Sequence, residues 1–280
     1  MSYRLLPTLL FSCFCLCSFS TSAAALTLFI DFNNADGEIQ AFKTKRVRGT
    51  DNILVLPSYD RITLQQRSAA RRANALVERL TLQAQQCAVV QGKKPKACND
   101  VYVQIRDAEL VRIAATGNYS AADLKAELSV LIIRNPDLRF DMLVVSGHHE
   151  LGFYRGELTQ ATDREFAEVI AHGQAMFSRL NTVVLLGCGT GTRGGYQNHI
   201  SPLFPNVTLI VGAEDSAPTR DEPRNLAFIR KFNVSRTNLL SSRTKKEIEP
   251  LVQSLRAENW PISLLWRNDM LFLKDVTQPF

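Results

Sequence analysis

Short apolar runs along the chain predict the strands of a sheet. Five such runs are rich in Val, Ile and Leu: residues 26–32, 52–57, 140–145, 182–186 and 207–211. A more polar stretch, residues 38–47, predicts another strand near the start, and residues 262–272 predict a terminal strand or pair of strands. The alternating residues 101–105 and 110–113 predict a β-hairpin.

Helical spacing of apolar residues separates several of these runs. Residues 63–86 are rich in Ala, Leu, Arg and Gln, and their apolar stripe predicts a long surface helix: Ala69, Ala73, Leu76, Leu80 and Ala84. Ser120 is a suitable N-cap for a helix over residues 121–133, which Asn135 and Pro136 end. Further helices are expected at residues 163–179, 222–232 and 245–258.

Strands and helices alternate from residue 120 onward, which indicates a parallel sheet with crossover helices. We expect one domain over residues 26–280, built as a three-layer α/β/α sandwich with a mostly parallel central sheet. No repeat, low-complexity linker or convincing domain boundary interrupts this region.

The first 25 residues have the pattern of a cleavable export signal. Arg4 precedes an apolar run over residues 5–19, and Ala23, Ala24 and Ala25 form a small-residue cleavage site. The run is shorter than the roughly 20 residues that span a bilayer. We therefore predict an exported protein, periplasmic or extracellular, with no membrane insertion after cleavage. An acylated cysteine in this segment is the alternative.

Charge changes this picture little. The formal net charge of +6 falls to +5 when the segment that contains Arg4 is removed. Basic clusters at residues 43–48 and 92–96 are interpreted as solvated faces, with an acidic partner or an envelope surface as the alternative. We expect no nucleic-acid partner, and the sequence leaves the oligomeric state open.

The cysteines divide into two groups. Three of the six lie in the predicted signal, and the others are Cys87, Cys98 and Cys188. Cys87 and Cys98 flank a Gly/Lys/Pro loop, so in an oxidising compartment we expect them to form a disulfide. Cys188 then remains as an odd thiol, which is either a buried core residue or present for its reactivity.

Two predicted strands end in residues that carry chemistry. One ends M-L-V-V-S-G-H-H at His148 and His149, and the other ends V-V-L-L-G-C-G at Cys188. Reacting groups collect at the carboxyl ends of parallel strands, and a thiol nucleophile needs a nearby base. The spacing predicts a His148/Cys188 dyad. The alternative is a loop-bonded histidine and a small core cysteine.

These strand ends resemble those of the caspase-like cysteine peptidases, the superfamily of caspases, metacaspases, clostripain and legumain. The motif L-V-V-S-G-H matches the strand that carries the catalytic histidine, and V-V-L-L-G-C matches the strand that carries the catalytic cysteine. Residues 152–158 and 211–218 resemble the bacterial branch of this superfamily. The resemblance covers about residues 120–235, and the N-terminal third matches only by the order of its elements.

The resemblance implies a caspase-like fold and an endopeptidase that cleaves proteins or peptides, and we expect no cofactor. His148 would be the general acid/base, Cys188 the nucleophile that forms a thioester, and the N–H groups of His149 and Cys188 the oxyanion donors. Two positions depart from the pattern. The usual glycine after the histidine is His149, and the usual Asp, Ser or Ala before the cysteine is Gly187.

Glu214 and Asp215 follow the next predicted strand, where a substrate pocket could form. Acids there would favour a basic residue on the acyl side of the cleaved bond, and the alternative is a solvated turn. No cysteine or histidine cluster has the spacing of a zinc site, so no metal is expected.

Other functions fit parts of the same sequence. The loop G-C-G-T-G resembles the cofactor loop of S-adenosylmethionine methyltransferases, although 92 residues after Cys188 leave little room for the rest of that sheet. An exported enzyme would also lack an obvious supply of that cofactor. Arg193 follows Cys188 at a spacing similar to that in rhodanese-like sulfur transferases. A caspase-like fold retained as an inactive binding module is a further alternative.

Overall fold

The computed structural model describes residues 26–43, 52–91, 96–150, 152–190, 202–213, 217, 222–242, 244–256, 262–266 and 271–272. The helices in these residues are α1 (Asp36–Phe42), α2 (Leu64–Gln91), α3 (Lys96–Ala115), α4 (Ala121–Arg134), α5 (Asp163–His172), α6 (Pro223–Ser241) and α7 (Lys245–Arg256). The strands are β1 (Thr27–Asp31), β2 (Ile53–Leu56), β3 (Met142–Ser146), β4 (His148–Glu150), β5 (Phe153–Arg155), β6 (Gln160–Thr162), β7 (Thr182–Leu185), β8 (Leu209–Ala213), β9 (Ile262–Trp266) and β10 (Leu271–Phe272). The predicted signal, residues 1–25, lies outside this part of the chain.

The central sheet has seven strands in the order β2-β1-β3-β7-β8-β9-β10. The first five run parallel, whereas β9 runs antiparallel to β8 and β10 runs antiparallel to β9. All five apolar runs of the sequence form these parallel strands, and residues 262–266 and 271–272 form the terminal pair. The prediction of a mostly parallel sheet is confirmed.

Helices cover both faces of the sheet, because successive side chains of a strand point to opposite faces and here both sets are apolar. Leu28 and Ile30 of β1 pack in one core with α4 and α5. Phe29, between them, packs in a second core with α1, α6 and α7. The predicted three-layer α/β/α sandwich is confirmed. Among the described residues, no helix is long and apolar enough to cross a bilayer.

The strand predicted at residues 38–47 is wrong, because its first part lies in helix α1. Ile39 and Phe42 are three residues apart, so they share one face of a helix, and Phe42 contacts Phe29 with ring centroids 6.0 Å apart. Glu38 is also buried, and its carboxylate accepts a hydrogen bond from Asn225 at 2.6 Å. A polar residue on the inner face hid the helical pattern.

The hairpin predicted at residues 101–105 and 110–113 is also wrong, since both segments lie in α3. Most of the less exposed residues of α3 follow a helical spacing of three and four: Cys98, Val101, Ile105, Ala108, Arg112 and Ala115. Helix α3 packs along α2, and the disulfide Cys87–Cys98 joins the two helices with its Cα atoms 6.0 Å apart. Exposed Val103, Leu110 and Val111 produced the misleading alternation.

The other helices agree with the sequence, apart from their ends. Ser120 caps α4 in a capping box with Asp123, as expected of that sequence. The helix predicted over residues 163–179 ends earlier, at His172, and turns follow it. Gly173 lies at that point, where a Cβ atom would come within 2.7 Å of the Leu128 side chain.

A buried ion pair joins the end of β1 to the first turn of α2. The Asp31 carboxylate accepts hydrogen bonds from Arg67 at 2.8 Å and from the backbone N–H of Ala35 at 3.0 Å. Arg67 also donates to the carbonyl oxygen atoms of Pro57 and Ile62. Burial raises the pKa of the Asp31 carboxyl, and the Arg67 guanidinium opposes that rise. The sequence placed Arg67 on a surface helix and did not reveal the pair.

Replacing Arg67 with Met keeps a long side chain but leaves the Asp31 carboxylate buried without its cation. We expect the free energy of unfolding to fall by about 3–5 kcal/mol, the cost of breaking a buried pair from one side. The matched control is Arg61→Met, which breaks a pair with Asp123 whose arginine is 56% exposed and should cost less than about 1 kcal/mol. Urea denaturation measures both. Equal, small losses would show that Asp31 does not need its cation.

Candidate active site

The pairing of β3 with β7 brings the two candidate residues together. The strands are parallel neighbours, with Val145 opposite Leu185, so both chains leave the same edge of the sheet. Gly147 and His148 follow β3, while Gly187 and Cys188 follow β7. The Sγ atom of Cys188 lies 3.5 Å from Nδ1 of His148, and both residues are partly exposed. The proximity expected from the sequence is present, and the catalytic roles remain predictions.

His148 begins a second, three-stranded sheet that the sequence did not reveal. Strand β5 pairs antiparallel with both β4 and β6, and His148 lies opposite Arg155. Tyr154 anchors this sheet to the domain. Its buried ring packs against Phe32 and Phe166, with centroids 5.8 and 4.8 Å away. The strands have three residues each, too few for a periodic pattern to be recognised.

His149 engages a different group from His148. Its Nε2 atom lies 3.1 Å from a carboxylate oxygen of Asp163, and its ring packs against Tyr154 with centroids 4.6 Å apart. His149 lies within strand β4, so its extended backbone accommodates a side chain where the family pattern has glycine. The imidazole that faces Cys188 is therefore that of His148.

Gly187 is required by the close approach of two chain segments. A Cβ atom at this position would lie 2.7 Å from the carbonyl oxygen of Gly147 and 3.0 Å from the Cβ of His149. The next glycine, Gly189, has a φ of +65° and allows the chain to turn after Cys188. Buried Thr190 lies in this turn, and its hydroxyl donates to the carbonyl oxygen of Gly187 at 2.8 Å.

A cleft of about 890 Å³ opens beside the two residues. Helices α2 and α3 form one wall, and the turn between β5 and β6 forms the other. The charged and amide side chains that line it are Asn33, Asn74, Glu78, Glu109, Arg112, Arg155, Glu157 and Gln160. Arg112 joins the two walls, because it donates to the carbonyl oxygens of Gly156 at 3.0 Å and Glu157 at 3.1 Å.

The sequence singled out neither Arg112 nor Asp163. Asp163 begins a helix, where an acidic residue is common for reasons of helix stability, so nothing in the sequence linked it to His149. Arg112 belongs to the segment that was predicted as a hairpin. Both roles depend on contacts between residues that are distant in sequence.

Other predicted residues lie elsewhere. Glu214 and Asp215, the predicted substrate-pocket acids, fall outside the described residues, as does Arg193. A histidine that the sequence did not single out, His172, is exposed at the C-terminal end of α5, with its Nε2 atom 2.6 Å from the Ser129 hydroxyl. In the part of the chain that the structure describes, no group of three or more His, Cys, Asp or Glu side chains could hold a metal ion.

Comparison with known proteins finds distant structural likeness alone. No family model matches the chain, and no curated protein matches it. Among solved structures, a secreted C11 cysteine protease from Bacteroides thetaiotaomicron, in complex with an irreversible peptide inhibitor, aligns with a TM-score of 0.34 and 10% sequence identity. The alignment covers 54% of this chain and 46% of that protease. A likeness of this size does not establish membership of a family.

Proposed function

We propose that this chain is a caspase-like cysteine endopeptidase with Cys188 as nucleophile and His148 as general acid/base. The observation that carries the proposal is the 3.5 Å distance between the Cys188 Sγ and the His148 Nδ1 beside an open cleft. At this distance the imidazole is placed to accept the thiol proton, and the thiolate is the reactive form of cysteine.

In the proposed reaction, the Cys188 thiolate attacks the carbonyl carbon of a peptide bond. The resulting oxyanion accepts hydrogen bonds from the backbone N–H groups of Cys188 and His149. The backbone nitrogen of His149 lies close to the loop that carries Cys188, 3.1 Å from the point that a Cβ at Gly187 would occupy. His148 then gives its proton to the leaving amine, and a thioester remains on Cys188.

Hydrolysis of the thioester completes the cycle. His148 removes a proton from an incoming water molecule, and the resulting hydroxide attacks the thioester carbonyl. The carbon–sulfur bond breaks, the carboxylic acid product leaves, and the proton returns to the sulfur of Cys188. The residues of the dyad suffice for both steps.

The size and the walls of the cleft support a protein or peptide substrate. A volume of about 890 Å³ is at the upper end of the range for small-ligand sites and suits several residues of an extended chain. Side chains that donate and accept hydrogen bonds line both walls, as binding of a peptide backbone requires.

The position of the glycine-rich loop in the sheet favours the peptidase over a methyltransferase. A methyltransferase would need most of its sheet after this loop. Among the described strands of the central sheet, β1, β2, β3 and β7 precede Cys188, and only β8, β9 and β10 follow it. An inactive binding module of the same fold differs from the peptidase in activity alone.

The dyad predicts that Cys188 reacts in the native protein and that His148 controls the rate. At a fixed pH near neutrality, iodoacetamide should label Cys188 readily, and His148→Ala should slow labelling at least about 10-fold. Cleavage of a fluorogenic peptide library should fall by about 10²–10⁴-fold in His148→Ala and vanish in Cys188→Ala.

His172→Ala is the matched control, since this exposed histidine contacts Ser129 and should leave both rates unchanged. Equal labelling of wild type and His148→Ala would rule out the dyad. Labelling of Cys188 only after unfolding would identify a core thiol and favour the binding module.

We also propose that residues 1–25 are a signal that is removed on export. The disulfide between Cys87 and Cys98 supports an oxidising destination, because such bonds rarely persist in the cytosol. Mass spectrometry of the protein recovered from the periplasm or medium of a secreting host should find Leu26 as its first residue. A chain that stays in the cytosol with Met1 intact would contradict this proposal.

A further inference from the structure

We infer that the side chains of His149 and Asp163 form a positioning pair, which holds strand β4 so that His148 faces Cys188. The inference rests on the proposed function and adds a role that the dyad alone does not contain. In the proposed reaction only the backbone N–H of His149 takes part. The imidazole of His149 and the carboxylate of Asp163 act by fixing strand β4 and thereby the position of His148. Neither side chain contacts the substrate.

The Asp163 carboxylate is a rigid anchor because the start of α5 is itself held firmly. Thr162 and Glu165 form a capping box around the first turn of α5. Phe166 packs in the core beneath the sheet, and the backbone N–H of Asp163 donates to the carbonyl oxygen of Gly152 at 2.9 Å. A group bonded to Asp163 is therefore tied to the body of the domain.

The His149 imidazole is held on two sides. It donates to Asp163 at 3.1 Å, and the side chains of the two residues are only 11% and 22% exposed, so water competes weakly for the bond. The ring also packs against Tyr154, which is 1% exposed and lies on Phe166. The side chain of His149 thus links β4 to α5 through Asp163, and to the rings of Tyr154 and Phe166 through packing.

The side chain at position 149 and the glycine at position 187 depend on each other. A Cβ at Gly187 would lie 3.0 Å from the Cβ of His149, which is closer than nearly all contacts between such atoms. The carbonyl oxygen of Gly147 would lie closer still, at 2.7 Å, so the His149 side chain supplies one of two contacts that require a glycine before Cys188. The two departures from the peptidase pattern are therefore in contact with each other.

This arrangement should affect the chemical step more than substrate binding. His148 is the neighbour of His149 in β4, so a shift of this strand changes the distance from Nδ1 to Sγ. The cleft beside the dyad does not depend on this pair for its support. Arg112 holds the β5–β6 turn by donating hydrogen bonds to two carbonyl groups of that turn. We therefore expect loss of the pair to lower kcat and to leave KM nearly unchanged.

The test is a double-mutant cycle on the full mature chain, with a fluorogenic peptide that the wild type cleaves. His149→Ala and Asp163→Ala should each lower kcat by about 10- to 100-fold, the effect of misplacing a reacting group by about 1 Å. The double variant should be no worse than either single variant, since both remove one interaction. His149→Gln and Asp163→Asn, which keep a donor and an acceptor, should restore most of kcat.

His172→Ala again serves as the control. If the Ala variants lowered the melting temperature but left kcat unchanged, the pair would be merely structural. If the losses of kcat in the two single variants multiplied in the double variant, His149 and Asp163 would act independently and not as a pair. If the wild type itself showed no cleavage that depends on Cys188, the proposed function would be refuted instead. The iodoacetamide rate of Cys188 in the same variants would then decide whether the pair controls the geometry of the thiol.

Gly187→Ala tests the link to the cysteine loop. In the wild-type background we expect cleavage to fall by about 100-fold or more, because the new Cβ meets the Gly147 carbonyl oxygen and the His149 Cβ. In a His149→Gly background one of these contacts is gone, so the same substitution should cost less. Equal losses in both backgrounds would overturn the dependence of position 187 on position 149.

Discussion

The parallel pairing of β3 with β7 is the constraint on which the candidate site depends. In a parallel pair the two carboxyl ends leave the same edge of the sheet, so residues 40 positions apart in the chain, His148 and Cys188, emerge side by side. Both strands are wholly buried and covered by helices on each face. A shift of one residue in their register would turn apolar side chains to the wrong faces, so the register is strongly specified.

The edge of the sheet at which the site lies is reinforced by polar contacts as well as by apolar packing. The Asp31–Arg67 pair closes the end of β1, directly beside Ser146 at the end of β3. Charges buried in this way carry a desolvation cost that only a full set of partners offsets, and both residues have such a set. Strand β3, which leads to His148, therefore pairs with a strand whose own end is fixed by an ion pair.

Some elements were predictable because their local pattern and their final environment agree. The five parallel strands are buried on both faces, so each is an apolar run, and Ser120 caps α4 as its position suggests. Helices α1 and α3 were predicted as strands because Glu38 lies on the packed face of α1, and because α3 exposes Val103, Leu110 and Val111 while the charged Arg112 lies on its less exposed face. Tertiary partners for these charged groups, Asn225 for one and the β5–β6 turn for the other, make such burial possible.

The sequence by itself determined the parallel sheet, the disulfide partners and the two strand ends at which a histidine and a cysteine lie. These follow from local hydrophobicity and from residue types, which are visible in a single stretch of chain. Only the tertiary structure decided that His148 rather than His149 faces Cys188, that His149 bonds Asp163, and why position 187 must be glycine. Such facts depend on distances of about 3 Å between segments far apart in sequence, and no local pattern encodes them.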